Sequence, residues 1–236
     1  MGKRAIILAG GQGTRLRPYT VVLPKPLMPI GDYPILEVII RQLAYCEFNH
    51  ITLAVNHQAE LIKTFFGDGK KWGIQIDYSL EDKPLSTMGP IKLISDLPDD
   101  FLIMNGDVLT DLNYGELFSQ HCNNKNIFTI AASQRNQTSE YGVLEVDCSN
   151  KLYGFKEKPV TQYDVSMGIY IANKKILNYI PENKAYGFDN LMLDLIHSAN
   201  PASVFRFSGY WLDIGRPDDY CKAIDEFDSL KERFLR

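Results

Sequence analysis

The sequence has no long apolar run and no large excess of charge of one sign. Its 236 residues contain 25 Lys and Arg against 29 Asp and Glu, which gives a formal net charge of −4. No apolar run approaches the ~20 residues that a helix needs to cross a bilayer. A slightly acidic chain also lacks the basic field that attracts nucleic acid or acidic lipid. We therefore expect no membrane and no nucleic acid as partners, so any affinity for anions must be local.

Paired cysteines are also missing. Cys46, Cys122, Cys148 and Cys221 are widely separated, and none forms a C-x-x-C pair. This spacing excludes a zinc knuckle and a dense disulfide framework. The apolar stretch near the N-terminus is too short for the core of a secretory signal. We expect a cytoplasmic protein with reduced thiols.

Internal repeats, low-complexity segments and Pro/Gly/Ser-rich linkers are absent as well, which predicts a single domain over residues 1–236. No hexapeptide repeat of the kind that forms a left-handed β-helix follows Asp213, so we expect no such C-terminal domain.

Through the first half of the chain, short β-branched or aromatic runs alternate with helical patterns. This alternation predicts an α/β protein with a Rossmann-like mixed, mostly parallel sheet flanked by helices. The predicted strands are Arg4–Leu8, His50–Val55, Ile74–Ser79 and Phe101–Met104, with a further strand beginning at Ile127, and the predicted helices are Ile35–Tyr45, Gln58–Phe66, Pro90–Asp96 and Tyr114–Cys122.

The rhythm changes at Tyr141, where "YGVLEVD", "LYGFKEK" and "VSMGIYIAN" follow one another with little helix between them. We interpret them as an antiparallel or mixed extension of the same sheet. Helices at Lys174–Tyr179 and Asp189–Ala199 follow, then a strand pair within Val204–Asp213. The last segment, from about Pro217, predicts an amphipathic helix whose apolar face is a candidate contact of a homo-oligomer.

The stretch "LAGGQGTRLRPYTVVLPKP" follows the first predicted strand. Glycines leave backbone N–H groups free to face a ligand, here at Gly10, Gly11 and Gly13. The cations Arg15 and Lys25 indicate that this ligand carries several negative charges. In open α/β sheets, ligands bind outside the carboxyl ends of the strands, which is where this loop begins. The composition and position of the loop therefore predict a phosphate site.

Two common phosphate motifs do not account for this loop. A dinucleotide-binding fingerprint needs glycine or alanine where the sequence has Leu16, and no G-K-[ST] follows at the spacing of a P-loop.

The loop resembles the signature of the sugar-1-phosphate nucleotidyltransferases, the nucleotide-sugar pyrophosphorylases, over "LAGGQGTRLRPYT" and "LPKPLMPIGDYPILE". Further motifs follow in the order of that family and cover nearly the whole chain: "EDKPLSTMGP", "MNGDVL", "YGVLE", "FKEKP", "MGIY" and "WLDIGRPDDY". The sequence is most similar to compact mannose-1-phosphate guanylyltransferase-like members. The resemblance implies a glycosyltransferase-A-like nucleotidyltransferase fold and an EC 2.7.7-type enzyme, which joins an NTP to a sugar 1-phosphate and releases pyrophosphate, with Mg²⁺ as cofactor.

The resemblance also implies residue roles. Its catalytic set is Arg15, Lys25, Asp107 and Lys158, and its metal ligands are Asp107 and Asp213. Arg15 and Lys25 bind the NTP phosphates, while Lys158 binds the phosphate of the sugar phosphate. The implied nucleotide-binding residues are Leu8, Ala9, Gly10, Gly11, Gly13, Thr14, Arg15, Lys25, Glu81, Thr87, Gly89, Asn105 and Asp107, and the implied sugar-phosphate-binding residues are Tyr141, Gly142, Glu157, Lys158, Ser166, Gly168 and Trp211.

Some of these residues have simpler explanations. Asp213 precedes the C-terminal helix closely enough to cap it, and Lys158 is a charge of the kind usually left in solvent. Two positions depart from the family pattern: Ser86 stands where relatives often have glycine, and Ser166 where an asparagine commonly contacts the sugar. The sugar specificity is therefore the least determined feature.

Several functions stay open at this point. The first is transfer from GTP to a hexose- or heptose-type sugar 1-phosphate such as mannose 1-phosphate, and the alternative substrates are dTTP, UTP or CTP with glucose 1-phosphate. A catalytically silent, nucleotide-sugar-binding regulatory subunit is a different class, and an unrelated binding module is a third. The intact charged set disfavours the silent subunit, which has no physical need for every charge.

Overall fold

The computed structural model describes residues 2–11, 13–56 and 59–235. The short apolar runs form strands, because alternate side chains of each can be buried on the two faces of a sheet. The strands are β1 (Lys3–Leu8), β2 (Pro29–Ile30), β3 (Tyr33–Pro34), β4 (Phe48–Val55), β5 (Gln75–Leu80), β6 (Asp100–Asn105), β7 (Val108–Thr110), β8 (Phe128–Thr138), β9 (Val143–Val146), β10 (Leu152–Lys156), β11 (Val160–Asn173), β12 (Ser203–Arg206) and β13 (Trp211–Asp213).

Helices lie between or after these strands along the chain, and those longer than one turn bury apolar side chains. They are α1 (Tyr19–Val22), α2 (Ile35–Tyr45), α3 (Ala59–Phe66), α4 (Tyr114–Asn123), α5 (Phe188–His197) and α6 (Pro217–Phe234), with short 3-10 segments at Thr14–Leu16, Lys25–Leu27, Lys70–Trp72, Gly89–Leu93 and Lys174–Asn178. In the part of the chain described, no helix is long and apolar enough to span a bilayer.

A seven-stranded sheet in the order β12-β8-β11-β6-β1-β4-β5 forms the centre of the molecule. Strand β11 runs antiparallel to both of its neighbours, β6 and β8. The other pairs, β12 with β8, β6 with β1, β1 with β4 and β4 with β5, are parallel. The predicted mixed, mostly parallel α/β sheet is confirmed.

Helices cover both faces of this sheet. In β1, Ala5 and Ile7 pack in a cluster with the apolar sides of α2, α3, α4 and α6. Ile6 points to the other face, where the buried leucines of α5, Leu191 and Leu195, close a second cluster. Because both faces are buried, the strand ends are the places where a polar ligand can reach the sheet.

Two predicted helices agree closely with the structure. Helix α2 has the predicted bounds, with all of Ile35–Ile40 buried and Leu43 continuing the buried side toward its end. Helix α6 begins at the predicted Pro217, a residue that fits the first turn because its missing N–H has no partner there in any case. The predicted start of the second helix at Gln58 lies outside the described residues, and α3 begins at Ala59.

The predicted helix at Pro90–Asp96 is wrong, because only a 3-10 segment forms over Gly89–Leu93. The chain leaves helical geometry at Ile94, which is extended with ψ near 110°, and Pro98 disfavours a return to helix at Leu97. A helix therefore has no room to continue beyond one turn.

Two strand pairings were also predicted wrongly. Among the described residues, β9 and β10 pair only with each other, and this two-stranded sheet, which lies between β8 and β11 along the chain, does not extend the central sheet. The strand pair predicted within Val204–Asp213 does not form, because β12 joins the edge of the central sheet beside β8 while β13 pairs with β7. Of the three strands that were predicted to extend the central sheet, only β11 does so.

Candidate active site

A cavity of about 440 Å³ opens at the carboxyl ends of β1, β4, β5 and β6. This is the edge at which open α/β sheets bind ligands. We call it the first cavity. It is lined by Leu8, Ala9, Gly10, Gly11, Arg15, Lys25, Pro26, Ala54, Val55, Asn56, Glu81, Pro84, Ser86, Thr87, Pro90, Asn105, Gly106, Asp107 and Asp213.

The glycine-rich loop forms one wall of the first cavity. It leaves β1 with the Ala9 N–H donating to the Ala54 carbonyl at 2.8 Å, and the Asn56 side chain contacts the Gly10 carbonyl oxygen. Gly13 has φ 61°, which favours glycine, and its carbonyl accepts a 2.6 Å hydrogen bond from the Thr20 hydroxyl. The loop is thus held from both ends while the backbone of Gly10 and Gly11 faces the cavity.

The Lys25 side chain also lines the first cavity. Pro24 leads into the 3-10 segment Lys25–Leu27, and the Lys25 side chain, only 15% exposed, forms an ion pair with the Asp107 carboxylate. Burial lowers the pKa of Lys25 to about 8, although the Asp213 carboxylate acts in the opposite direction. A cation with so little water around it interacts strongly with an added anion.

Asp107 and Asp213 are brought together by the pairing of β7 with β13. Asp213 is the register partner of Val108, and the Ile214 N–H donates to the Asp107 carbonyl at 2.9 Å. Both side chains face the first cavity, and the Arg15 guanidinium lies 3.7 Å from the Asp213 carboxylate. The two aspartates, distant in sequence, therefore lie in one site as the resemblance implied.

The alternative explanation of Asp213 as a helix cap does not fit this geometry. The N-cap residue of α6 is Arg216, and the Asp213 carboxylate accepts instead from the Gly215 N–H at 2.9 Å. Its second oxygen is left for Arg15 and for a ligand.

The paired carboxylates suit Mg²⁺. This ion prefers a few oxygen ligands from the protein and completes its shell with water and substrate phosphate. Within the described ranges, no group of three His, Cys, Asp or Glu side chains could enclose a metal by itself. Asp107 and Asp213 are thus a donor set of the right chemistry for an ion shared with a polyphosphate.

A second cavity, of about 530 Å³, adjoins the first and shares Asn105 and Asp213 with it. It lies between the long β8–β11 ribbon and the segment from β13 to the start of α6. Its lining residues are Asn105, Val108, Arg135, Asn136, Gln137, Tyr163, Val165, Ser166, Met167, Gly168, Trp211, Asp213 and Arg216. A ligand in this cavity would meet a ligand of the first cavity at the shared residues.

A bulge in β11 shapes the floor of the second cavity. The register of β11 against β8 shifts between Ser166 and Tyr170, and Gly168 has φ 73°. A β-carbon at Gly168 would lie 2.6 Å from the Asn105 amide, so only glycine fits there. The Ser166 hydroxyl donates to the Tyr170 hydroxyl at 3.1 Å, and the Trp211 indole donates to the Met167 carbonyl at 3.1 Å.

Arg135 and Asp219 link the second cavity to Asp213. The Arg135 guanidinium lies 4.6 Å from the centre of the Trp211 ring and binds both oxygens of Asp219, at 3.1 and 2.5 Å. Asp219 also accepts from the Asp213 N–H at 2.9 Å. The first turn of α6 therefore holds both the wall of the second cavity and the backbone of Asp213.

Most residues that the sequence assigned to the nucleotide do line the first cavity. The exceptions are Gly13, Thr14 and Gly89. Gly13 and Thr14 shape the turn that carries Arg15. Gly89 is buried against Leu85, where a β-carbon would lie only 2.8 Å from the Leu85 β-carbon. These three residues therefore support the cavity wall in this structure and do not face its interior.

The residues assigned to the sugar phosphate divide into two groups. Ser166, Gly168 and Trp211 line the second cavity. The second group, which lines neither cavity, lies on or beside the β9–β10 hairpin and comprises Tyr141, Gly142, Glu157 and Lys158. Tyr141 is 77% exposed, and Lys158 is exposed with φ 42°. The role of these four residues stays a prediction.

Sequence reasoning missed several residues of the two cavities. Asn56 directly follows β4, so its place at a strand's carboxyl end was a usable signal. Arg135, Asp219 and Arg216 gave no such signal, because their neighbours come from distant segments. Ser86 is the one departure from the family pattern with a visible cost, since its φ of 65° is the conformation that favours glycine.

A profile of the family described as nucleotidyl transferase matches residues 4–229. The chain belongs to this family. Among its relatives is a UTP–glucose-1-phosphate uridylyltransferase of Synechocystis sp., 34% identical over 94% of this chain and 62% of that protein. Another is a mannose-1-phosphate guanyltransferase of Yarrowia lipolytica, 35% identical over 92% of this chain and 62% of that protein.

Solved structures of relatives share the fold. HddC from Yersinia pseudotuberculosis is 28% identical and superposes with a TM-score of 0.75 over 96% of this chain and 100% of that one. A second crystal structure of HddC, complexed with GMP-PN, gives a TM-score of 0.74 at 27% identity, again over 96% of this chain and 100% of that one. By contrast, the chain spans about 62% of the length of the two enzymes named above.

Proposed function

We propose that this protein transfers a nucleotidyl group from an NTP to a sugar 1-phosphate, giving a nucleotide sugar and pyrophosphate. The main observation behind this proposal is that two cavities meet at Asn105 and Asp213. The cations Arg15 and Lys25 line the first of these cavities. The first cavity takes the NTP and the second takes the sugar 1-phosphate. Residues 1–236 act as a single nucleotidyltransferase domain in this proposal.

The chemistry requires two polyanions to approach each other. A phosphate oxygen of the sugar 1-phosphate attacks the α-phosphorus of the NTP, the bond from that phosphorus to the β-phosphate oxygen breaks, and pyrophosphate leaves. The nucleophile is already ionised, so no general base is needed. The protein contributes position and positive charge. Backbone N–H groups of Gly10 and Gly11 and the Arg15 guanidinium face the triphosphate, and the Lys25 ammonium faces the α-phosphate.

Mg²⁺ is the cofactor in this proposal, held by Asp107 and Asp213. When bound, it would neutralise phosphate charge in the ground state and on the leaving pyrophosphate. Lys25 and Asp107 form an ion pair in the structure described here. The Lys25 ammonium is then free for substrate phosphate when the Asp107 carboxylate holds the cation.

GTP is the nucleotide we propose, with a mannose-1-phosphate-like hexose or heptose phosphate as acceptor. Two findings support it: relatives named mannose-1-phosphate guanyltransferase, and the HddC structure that holds GMP-PN. The Synechocystis relative, which is named for UTP and glucose 1-phosphate, favours a pyrimidine nucleotide as second candidate.

Turnover with paired substrates tests this proposal. Pyrophosphate release should be measured with GTP, dTTP, UTP and CTP, each against mannose 1-phosphate and glucose 1-phosphate, with Mg²⁺ present. We expect kcat/KM to be highest for GTP with mannose 1-phosphate. A preference for UTP, dTTP or CTP would contradict GTP as the substrate and favour the second candidate, a pyrimidine nucleotide. Tight binding of nucleotide sugar without pyrophosphate release in any combination would indicate a silent regulatory subunit.

Lys158 is expected to grip the sugar phosphate in the ground state. Lys158→Ala should therefore raise KM for the sugar 1-phosphate and leave kcat and the KM for GTP nearly unchanged, because a lost ground-state contact weakens binding alone. Steady-state kinetics with each substrate varied in turn measure both parameters. Lys151→Ala, in the loop between β9 and β10, is the matched control. Unaltered sugar-phosphate kinetics in Lys158→Ala would remove this residue from the site.

A further inference from the structure

We propose that Arg216 is a phosphate-binding residue for the sugar 1-phosphate, an inference that rests on the proposed function. The second cavity must receive a dianionic phosphate, and its charged lining residues are Arg135, Arg216 and Asp213. The two arginines differ in whether their charge is already balanced.

Arg135 is neutralised within the protein. Both of its terminal nitrogens bind the Asp219 carboxylate, and its flat face lies over the Trp211 ring. A guanidinium held in this way is a fixed part of the cavity wall. The buried Asp219 carboxylate therefore largely neutralises the charge of Arg135.

Arg216 is not neutralised. Within residues 2–11, 13–56 and 59–235, no carboxylate lies within ion-pair distance of its guanidinium, although the other arginines that form ion pairs do so at 3.7 Å or less. As the N-cap residue of α6 it makes no side-chain capping bond. The side chain is exposed yet lines the second cavity. It is therefore a cation without a structural task at the place where an anion must bind.

The position of Arg216 along the chain points to the phosphate and not to the far end of the sugar. Its N–H donates to the Asp213 carbonyl at 2.9 Å, so Arg216 belongs to the turn that begins at Asp213. Asp213 is shared by both cavities, and the attacking phosphate must lie at this junction to reach the α-phosphorus. A planar guanidinium can bind two phosphate oxygens at once, which also orients the nucleophile.

The test compares Arg216→Gln with the wild-type protein under the conditions that give turnover. Loss of a charge-assisted contact should raise KM for the sugar 1-phosphate about tenfold or more. KM for GTP should stay within about twofold, because Arg216 does not line the first cavity. Arg216→Lys keeps the charge without the fork and should recover part of the loss.

A matched control is Arg206→Gln on β12, since Arg206 pairs with Asp164 at 3.1 Å and lines neither cavity. This variant should keep wild-type kinetics. Thermal melts of all three variants separate folding from binding. If Arg216→Gln does not fold, Arg216→Lys decides alone: it should raise KM for the sugar phosphate without changing KM for GTP, and wild-type values would overturn the proposal.

Direct binding keeps this inference separate from the proposed function. Calorimetric titration with mannose 1-phosphate, glucose 1-phosphate and inorganic phosphate should show sugar-phosphate affinity in the wild type that drops about tenfold in Arg216→Gln. Absence of turnover in the wild type with this binding difference intact would remove the enzymatic proposal and keep the phosphate site. Equal binding by wild type and Arg216→Gln would overturn the phosphate site.

Discussion

Replacing Asp213 by asparagine should nearly abolish Mg²⁺-dependent turnover while leaving the free energy of unfolding almost unchanged. The Asp213 side chain accepts one hydrogen bond from the Gly215 N–H, and an asparagine oxygen can accept the same bond. The amide lacks the negative charge that holds Mg²⁺ against a polyphosphate. Thermal melts and activity measured across a Mg²⁺ titration test both halves of this expectation.

Asp107→Asn should show the same loss of turnover with a measurable loss of stability. Lys25 is buried beside Asp107, and removing one partner of a buried ion pair leaves the other poorly compensated. The control is Asp164→Asn, since Asp164 pairs with Arg206 away from both cavities. Near-normal activity with ordinary Mg²⁺ dependence in Asp213→Asn or Asp107→Asn would contradict the proposal that the replaced aspartate binds Mg²⁺.

Lys25→Ala should lower kcat by ~10²–10³ with a smaller change in KM for GTP. In the proposed mechanism the Lys25 ammonium faces the point where charge develops on the α-phosphate and the leaving pyrophosphate, so we expect it to act mainly on the transition state. Lys25→Met tests the same point while keeping most of the side-chain volume. Steady-state kinetics at saturating Mg²⁺ measure the effect.

The matched control for Lys25 is Lys63→Ala on α3. Lys63 pairs with Glu60 at 3.0 Å on the surface, so its loss removes a charge without touching either cavity. A Lys25→Ala variant that keeps wild-type kcat and raises only KM for GTP would show a ground-state grip instead of transition-state stabilisation. Loss of activity that tracks loss of folding in the melts would show a purely structural role.

Local pattern in the sequence predicted much of the fold. The apolar runs at β1, β4, β5 and β6 and the helical spacing of α2 are properties of neighbouring residues, and each formed close to the expected position. The Pro90–Asp96 helix is an exception, because the chain becomes extended at Ile94 after a short 3-10 segment. Whether a segment forms a helix or a strand is therefore largely determined by residues close to it in sequence.

The pairing of strands was not predictable in the same way. β9 and β10 are strand-like in sequence, but nothing local says that they pair with each other and leave the central sheet. A strand pair was predicted within Val204–Asp213, yet β12 and β13 pair with the distant strands β8 and β7. Partner choice depends on long-range packing, which a periodic pattern does not contain.

The candidate site shows the same division. Gly10, Gly11, Lys25 and the two aspartates were predictable because they belong to sequence motifs, and the structure places all of them in the first cavity. Arg135, Asp219 and Arg216 meet through the β8–β11 ribbon and the start of α6, so no stretch of sequence shows their proximity. Lys158 also belongs to a sequence motif, but it lies just after the β9–β10 hairpin and lines neither cavity.

The central claim is that the two cavities join their ligands in one reaction. Its most direct test is the stoichiometry of products formed from GTP, mannose 1-phosphate and Mg²⁺, with pyrophosphate quantified enzymatically and the nucleotide sugar by mass spectrometry. We predict equal amounts of GDP-mannose and pyrophosphate, and neither product when either substrate is omitted. Phosphate or pyrophosphate release from GTP alone, or no product with any NTP and sugar 1-phosphate, would contradict the account.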